Sequence, residues 1–493
     1  MQLEIILKNI EVVESRNYRN IEINELVYKP DDIKNNALYF CIDEFVYHDG
    51  KVYDSGELLS QHKGEKPVSV LYEKELRDFN PEIVYIKVKD SRKTMAIIAA
   101  NFFHNPEKQL TLIGVTGTNG KTTTARLLQH IFNQSGYKTA VLGTLGCNWP
   151  NFSAPLGFTT PFSPELFALF KKMVDDKVTH CVMEVSSHAL KLDRVYGLDF
   201  SFRVFTNLTR DHIDFHGDFK DYQNSKLILF KGSNKKTTAV CNEDDVFTPE
   251  IKKVFDGNFV SYGFSSSALC RAACYKTENF ESKVQLHYKG KAFEIKSRLL
   301  ARFNVSNIMA AFCVAMEIGI KREKIIEAIF AFETVPGRFE KVVAPEDYLV
   351  VIDYAHTPDA LENIVTSCRE LTSHKLITVF GCGGDRDRGK RRLMGDIALK
   401  FSDFTVVTSD NPRTENPEQI VGDIVENYPQ EKNKYTVIVD RREAICFALN
   451  MAQKGDIVIL AGKGHEDYQI IGREKVHFSD KEEVEIFFRN RKK

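Results

Sequence analysis

Two rhythms of apolar and polar positions alternate along this chain, and the switches between them mark its elements. Continuous or β-branched apolar runs at residues 3–7, 37–42, 68–72 and 83–88 predict short strands, and the 3.6-residue apolar spacing of SRKTMAIIAANFF, from Ser91 on, predicts a helix. His48-Asp49-Gly50 has the residue types of a turn, and Asn105-Pro106 closes this first small α/β stretch. From Leu110 to Pro336 the two rhythms take turns. Strands are expected at 110–115, 139–143, 180–185 and 203–207, with helices over ARLLQHIF, around 164–175, over DYQNSKLILF and over RFNVSNIMAAFCVAMEIG. Between 237 and 300 short strands and loops read as a satellite sheet. After the Val335-Pro336-Gly337 turn, strands recur at 349–352, 376–380, 405–407 and 457–460 with helices between them. Such alternation is the signature of mostly parallel sheets covered by helices on both faces.

A chain of 493 residues is too long for one core, and its length suggests about three domains. The pattern places their boundaries so that 1–109 forms a small N-terminal α/β domain, 110–336 a central sheet and 337–493 a C-terminal doubly wound sheet. A formal net charge of -1 supplies no basic field for nucleic acid. No apolar run reaches the length of a membrane span, and Glu4 interrupts the one apolar stretch of the N-terminus. The ten cysteines include no CxxC pair, so buried thiols in a reducing compartment are expected rather than disulfides or zinc. The expectation is a cytoplasmic monomer without nucleic-acid partners or membrane insertion.

Chemistry enters at LTLIGVTGTNGKTTT, residues 110–124. A strand breaks at Thr116-Gly117 and passes, after Gly120-Lys121-Thr122, into a helix. Glycines at 117 and 120 let the backbone approach a phosphate, helix N-terminal amides point into the loop, Lys121 adds a point charge and the Thr122 hydroxyl suits magnesium. The match is to the tail GxxGKT, because Val115 stands where the full P-loop pattern has glycine. The alternative is a glycine turn that only packs strand on helix. Glu184, at the carboxyl end of the strand at 180–185, fits either a magnesium-binding acid or a cap for the next turn. In LTRDHIDFHGDF the groups Asp211, His212, Asp214 and His216 suit metal or phosphate contacts, against packed or solvated rings. Pattern alone makes Lys226 a surface lysine. Asn304 and Asn307 open a helix, where caps and base contacts are both open. In the last segment the polar density lies in the strand-end loops DYAHTPDA, GCGGDRDRGKR, SDNPRTENP and AGKGHEDYQ, which read as recognition of a charged small molecule.

GTNGKTTT, TTP, EVSSH, TNLTRDHIDFHG, PGRFE, DYAHTPDA, GCGGDRDRGKR, DNPR and GKGHEDYQ, in this order from Leu110 to the end, closely resemble the Mur ligases of peptidoglycan synthesis. The resemblance implies an N-terminal domain for a UDP-sugar, a central P-loop-type ATPase domain and a C-terminal Rossmann-like domain for an incoming amino acid. It further implies that ATP phosphorylates the D-Glu side-chain carboxylate of UDP-MurNAc-L-Ala-D-Glu, and that a diamino acid attacks the acyl phosphate. By the same resemblance Thr118, Asn119, Gly120, Lys121, Thr122 and Thr123 hold the ATP phosphates, and Asn307, Arg338 and Asp353 contact the nucleotide, with His356 beside them. Thr122, Glu184, His212 and Lys226 are implied to serve two magnesium ions, Lys226 as a carbamate made with carbon dioxide. The catalytic set is then Lys121, Glu184, His212 and Lys226. Thr159, Thr160, Ser186 and Arg194 match positions for the UDP-MurNAc substrate. Arg391, Asp410, Asn411, Arg413, Gly462 and Glu466 match those for the amino acid, and DNPR points to meso-2,6-diaminopimelate over lysine, ornithine or lanthionine.

The chain departs from the family pattern at Lys29-Pro30-Asp31, where a DSR triplet is usual, and at Phe158, Leu192, Ala301 and Arg392. A ligase of the folylpolyglutamate synthase type, an ATP-dependent binding switch and a plain kinase are the rival readings. DNPR and GHE oppose the first, and two separate polar loop clusters oppose the last.

Overall fold

The computed structural model describes residues 1–493 apart from 43–44, 47–51, 54, 279, 429–432 and 492–493, so the turn expected at His48-Asp49-Gly50 lies outside the described residues. The chain forms two compact units. The first gathers Met1–Thr116, Gly136–Arg203 and Ile228–Thr237, and the second Gly117–Ser135, Val204–Leu227 and Thr238–Lys493.

In the first unit an N-terminal sheet runs in the order Val12–Arg16, Val84–Val88, Ser69–Tyr72, Ala37–Phe40, Glu25–Val27. Its members are parallel except the edge strand Val12–Arg16, which is exposed along its whole length. Helix Ser91–Phe102 covers it, started by Asp90, whose side chain accepts the Lys93 amide. Residues 3–7 depart from expectation. They form the short helix Leu3–Ile6, which buries Leu3 and Ile6 one turn apart, because a run this short fits either period and tertiary burial decides. A second group of strands pairs Thr111–Thr116 with His180–Glu184 and the latter with Thr139–Gly143, all parallel. His180–Glu184 and Thr139–Gly143 are buried at every position, as strands between two helical layers are.

The second unit contains the helix Lys121–Gln134, which packs against Arg302–Ile318. Strands Thr238–Asn242 and Asn258–Gly263 are parallel, and Cys270–Glu278 pairs with Asn258–Gly263 and continues into an antiparallel meander with Glu281–Tyr288 and Lys291–Ser297, so residues 237–300 share one sheet with Phe202–Phe205 and do not form the separate satellite expected. The last sheet has the order Glu340–Val343, Leu349–Asp353, Ile457–Ala461, Leu376–Phe380, Phe404–Val407, Tyr435–Val437. Glu340–Val343 is antiparallel and the rest parallel. Its strand positions alternate between two cores. Leu349 and Val351 join Leu361, Ile364, Met394 and Ile420 on one face, and Val350 and Ile352 join Ala444, Leu449 and Val484 on the other. This is a doubly wound sheet, with its polar loops at the carboxyl ends of the strands, where such sheets bind ligands. A fully buried bidentate pair, Arg441 to Asp480 at 2.7 Å, fastens the last helix, and the same guanidinium donates to the Ala461 carbonyl. Among the described residues no helix is long and apolar enough to cross a membrane, and all ten cysteines are free thiols.

Candidate active site

The glycine loop is built by close approach. Gly117 (φ 151°) faces Thr206 Oγ1 and Gly120 (φ 86°) faces Asn307 Oδ1 so tightly that a Cβ at either position would overlap them. The chain after strand Phe202–Phe205 holds the loop in place. Thr118 N donates to the Asn207 carbonyl at 2.8 Å, Asn119 N to Asn207 Oδ1 at 2.9 Å, and the Thr206 hydroxyl to the Asn119 carbonyl at 2.6 Å. The Thr118 hydroxyl meets Tyr222 at 2.9 Å and the Thr209 carbonyl at 3.1 Å. Thr122 and Thr123 are buried in the first turn of Lys121–Gln134. Asn307 shares its amide with Asn304 at 3.1 Å and takes the Thr124 hydroxyl at 3.3 Å, so both asparagines support the loop from behind.

Two lysines converge on one atom. Lys121 Nζ lies 2.9 Å and Lys226 Nζ 2.8 Å from the Gly117 carbonyl oxygen. Lys226 is buried, which overturns the surface position that pattern alone implied. Burial, then the neighbouring Lys121, pushes its ammonium well below the usual lysine range, with Asp211 opposing. His212, left-handed at φ 53°, holds Asp211 at 3.3 Å. Burial would raise the Asp211 carboxyl, but His212, His356 and Lys121 together hold it below the ordinary carboxylate range. His216 separates from this group. Its ring is buried, 2.7 Å from Asp221 and packed on Tyr222, so the four expected groups do not act as one. Asp214 is exposed. Among the described residues no three His, Cys, Asp or Glu side chains gather as a metal site.

The Val335-Pro336-Gly337 turn docks on the AGKGHEDYQ loop, since a Cβ on Gly337 would strike Gly464 and the His465 amide. Arg338 lies over the Tyr354 ring at 4.4 Å. Asp353 accepts the Phe339 amide at 2.7 Å, and burial raises its carboxyl against the pull of Arg338. His356 and His465 flank Tyr354 at 4.6 and 5.0 Å, and burial lowers both rings to about 4.

Of the residues matched to the amino acid, Asp410, Asn411, Gly462 and Glu466 come together. Asn411 Nδ2 donates to Glu466 Oε2 at 2.9 Å, and a Cβ on Gly462 (φ 114°) would reach Asp410 Oδ2 at 2.5 Å. Arg413 (φ 51°) donates to the Gly384 carbonyl at 2.8 Å, and burial followed by Arg386 lowers its guanidinium. Arg391 is buried and committed to Glu415 and Asp423, each at 2.8 Å. It braces the GCGGDRDRGKR loop. Three residues went unnoticed in the sequence. Lys463 is fully buried and 3.2 Å from Glu466, Tyr354 donates to Glu466 at 3.4 Å, and Asp359 takes the Asn119 amide. Each sits inside a polar run already singled out, which was the only signal of them.

In the first unit Glu184 is buried and accepts Thr144 N at 3.0 Å and its hydroxyl at 3.2 Å, so it caps the turn after Thr139–Gly143, a turn on a different strand from the one expected. Thr160 donates to the Glu184 carbonyl at 2.8 Å, touches the Ser186 hydroxyl at 3.4 Å and offers its own carbonyl to Arg194 at 2.9 Å. Thr159 meets Thr144 at 3.3 Å. Arg194 sits in the corner formed by the edge-on rings of Phe158 (4.5 Å) and Phe162 (4.0 Å), and burial lowers it to about 10. The departure Phe158 thus supplies a cation–π wall.

Residues 115–315 match the Mur ligase middle domain, and residues 337–464 the Mur ligase, glutamate ligase domain. A "UDP-N-acetylmuramoyl-L-alanyl-D-glutamate--2,6-diaminopimelate ligase 1" of Clostridium acetobutylicum is 41% identical over 95% of each chain. A protein of Clostridium botulinum, whose name differs only in lacking the final numeral, is 40% identical over 98% of this chain and 99% of its own. A solved structure titled as a 2,6-diaminopimelate ligase acting on the same UDP-dipeptide superposes with a TM-score of 0.67, at 30% identity over 96% of each chain.

Proposed function

The chain belongs to the Mur ligase family, and we propose that it joins 2,6-diaminopimelate to the D-Glu side-chain carboxylate of UDP-MurNAc-L-Ala-D-Glu, driven by ATP. It is an ATP-dependent, amide-forming ligase of peptidoglycan precursor synthesis, and like its family it uses magnesium. The observation that carries the reading is the convergence of Lys121 and Lys226 on the Gly117 carbonyl. Half-buried Lys121 and buried Lys226 stand on one oxygen beside the loop amides, a setting that suits an anion, and a transferring phosphoryl group is such an anion.

The reaction moves charge between two anions, so fixed cations and amides serve it better than a nucleophilic side chain. Lys121 and the amides of the loop Thr118–Thr123 neutralise the ATP phosphates. Arg338 and Asp353 hold the nucleoside side, and Asn307, engaged by Asn304 and Thr124, supports the loop from behind. The γ-phosphoryl group passes to the D-Glu carboxylate, the amine of the diamino acid attacks the resulting acyl phosphate, and phosphate leaves from the tetrahedral intermediate. Arg413 matches the distal carboxylate of diaminopimelate, and Glu466 with Asp410 matches its ammonium. Arg391 contributes by holding the loop. In the first unit, Thr159, Thr160, Ser186 and Arg194 match the family's positions for the UDP-MurNAc substrate, Thr159 and Ser186 as half-buried hydroxyls and Thr160 and Arg194 as buried groups that fix them.

Lys226 suits a carbamate. A buried amine kept neutral adds carbon dioxide at its nitrogen and releases a proton, and the new anion offsets Lys121. Thr122, Glu184, His212 and the Lys226 carbamate match the family's magnesium ligands, and the hydroxyl, carboxylate and carbamate offer the oxygens magnesium prefers, so that bound magnesium would neutralise phosphate oxygens. Residues 1–109 would bind the UDP-sugar, 110–336 ATP and 337–493 the amino acid, in a cytoplasmic monomer.

The test is phosphate release with ATP, magnesium and UDP-MurNAc-L-Ala-D-Glu, offering meso-diaminopimelate, lysine, ornithine and lanthionine separately. Turnover with diaminopimelate, lost in Arg413→Ala, is expected. Preference for lysine or ornithine would retire the diaminopimelate pocket but keep the ligase.

A further inference from the structure

Glu466 is held at both oxygens. Asn411 and Lys463 donate to Oε2 at 2.9 and 3.2 Å, and the Tyr354 hydroxyl donates to Oε1 at 3.4 Å. The phenol of Tyr354 has a second engagement, because its ring lies under the Arg338 guanidinium at 4.4 Å. Its backbone is fixed as well. Tyr354 N donates to the Gly337 carbonyl at 2.9 Å, and Gly464 comes so close that a Cβ there would stand 2.7 Å from Tyr354 Cβ. One side chain therefore touches the guanidinium assigned to the nucleotide and the carboxylate assigned to the diamino acid.

We propose that Tyr354 is a positioning residue that couples the two subsites, so that a bound nucleotide raises the affinity for the diamino acid. This rests on the functional reading above. Phosphate charge that fixes Arg338 also fixes the ring stacked beneath it. A fixed ring holds its hydroxyl on Glu466 Oε1, and the carboxylate meets the incoming ammonium already oriented. Without nucleotide, Arg338 and the ring share a wider set of positions, and the diamino acid must order Glu466 itself. The differential contact that coupling requires is thus the Tyr354–Glu466 hydrogen bond.

The experiment is calorimetric titration of diaminopimelate into the full chain, with and without a non-hydrolysable ATP analogue and magnesium, for wild type and Tyr354→Phe, together with steady-state KM values. Wild type is expected to bind diaminopimelate about fivefold or more tightly with the analogue, within the usual range of coupling. Tyr354→Phe keeps the ring on Arg338 and deletes the hydroxyl. It should bring that ratio towards one and raise KM for diaminopimelate several-fold while KM for ATP stays put, a split that general loosening of the fold would not produce. Tyr354→Leu, which also removes the ring, should raise both. A wild-type ratio of one, or a Tyr354→Phe enzyme with unchanged ratio and KM, overturns the coupling while the ligase stands. Absence of binding and turnover with diaminopimelate in wild type overturns both.

Discussion

The Asp359 carboxylate, in the first turn of helix Pro358–Arg369, accepts the side-chain amide of Asn119 in the phosphate loop at 2.8 Å. The same oxygen takes the Thr209 hydroxyl at 3.1 Å. Burial raises the Asp359 carboxyl, with those two hydrogen bonds pulling it back. A loop that must present amides to phosphate is thus held by a residue far along the chain. Asp359→Ala should raise KM for ATP several-fold with a smaller effect on the diamino acid. Asp359→Asn, whose amide oxygen can still accept, should lie between. Equal KM for ATP in all three enzymes would remove this role.

Lys226→Ala deletes the second amine on the Gly117 carbonyl. The phosphate-release rate should fall by about 10²–10³, the usual cost of losing one preorganised charge partner. Short-chain carboxylates added to the variant should restore part of it. Failure of rescue, with intact mass showing an unmodified lysine in active wild type, would sink the carbamate.

Ala301 precedes helix Arg302–Ile318 with φ 79° and ψ 147°, a backbone region that glycine adopts freely. The strain there costs roughly 1–3 kcal/mol, whereas the buried methyl returns about 0.8 kcal/mol. Strain outweighs burial, so Ala301→Gly should raise the thermal midpoint. A lowered midpoint would mean that the methyl contacts in that core dominate.

His356 and His465 give the chain an acid-sensitive point. Burial lowers both rings to about 4, while the unfolded chain titrates near the ordinary histidine value of about 6.5. Between those values the unfolded state binds protons that the native state refuses, so stability falls as pH drops from 6.5 towards 4. The upper limit is about 1.4 kcal/mol per pH unit for each ring, reduced by solvent at their partly open faces. Urea midpoints measured across this window should fall more steeply in wild type than in His356→Asn. Parallel curves would show that His356 is not among the groups responsible.

Much of this protein was readable one residue after another. The strand, glycine loop and helix at 110–134 follow from local rules, because φ-permissive glycines, a β-branched run and helix spacing each act over a few residues. The doubly wound last sheet followed from alternating apolar runs, though its short edges Glu340–Val343 and Tyr435–Val437 were too weak a signal. Family motifs named the site residues without saying what each would touch.

Contacts between distant segments decided the rest. Nothing near Lys226 in the chain announces that its amine lies buried on Gly117, 109 positions away. His212 and His216 look alike in the sequence, but the helix that follows turns His216 onto Asp221 and Tyr222 and leaves His212 beside Asp211. Arg391 and Arg413 both match positions for the amino acid, yet Arg391 is consumed by Glu415 and Asp423. Periodicity and turn chemistry are local and survive in the one-dimensional string. Burial, charge pairing and the partner of each polar atom are properties of segments brought together, so only the folded chain sets them.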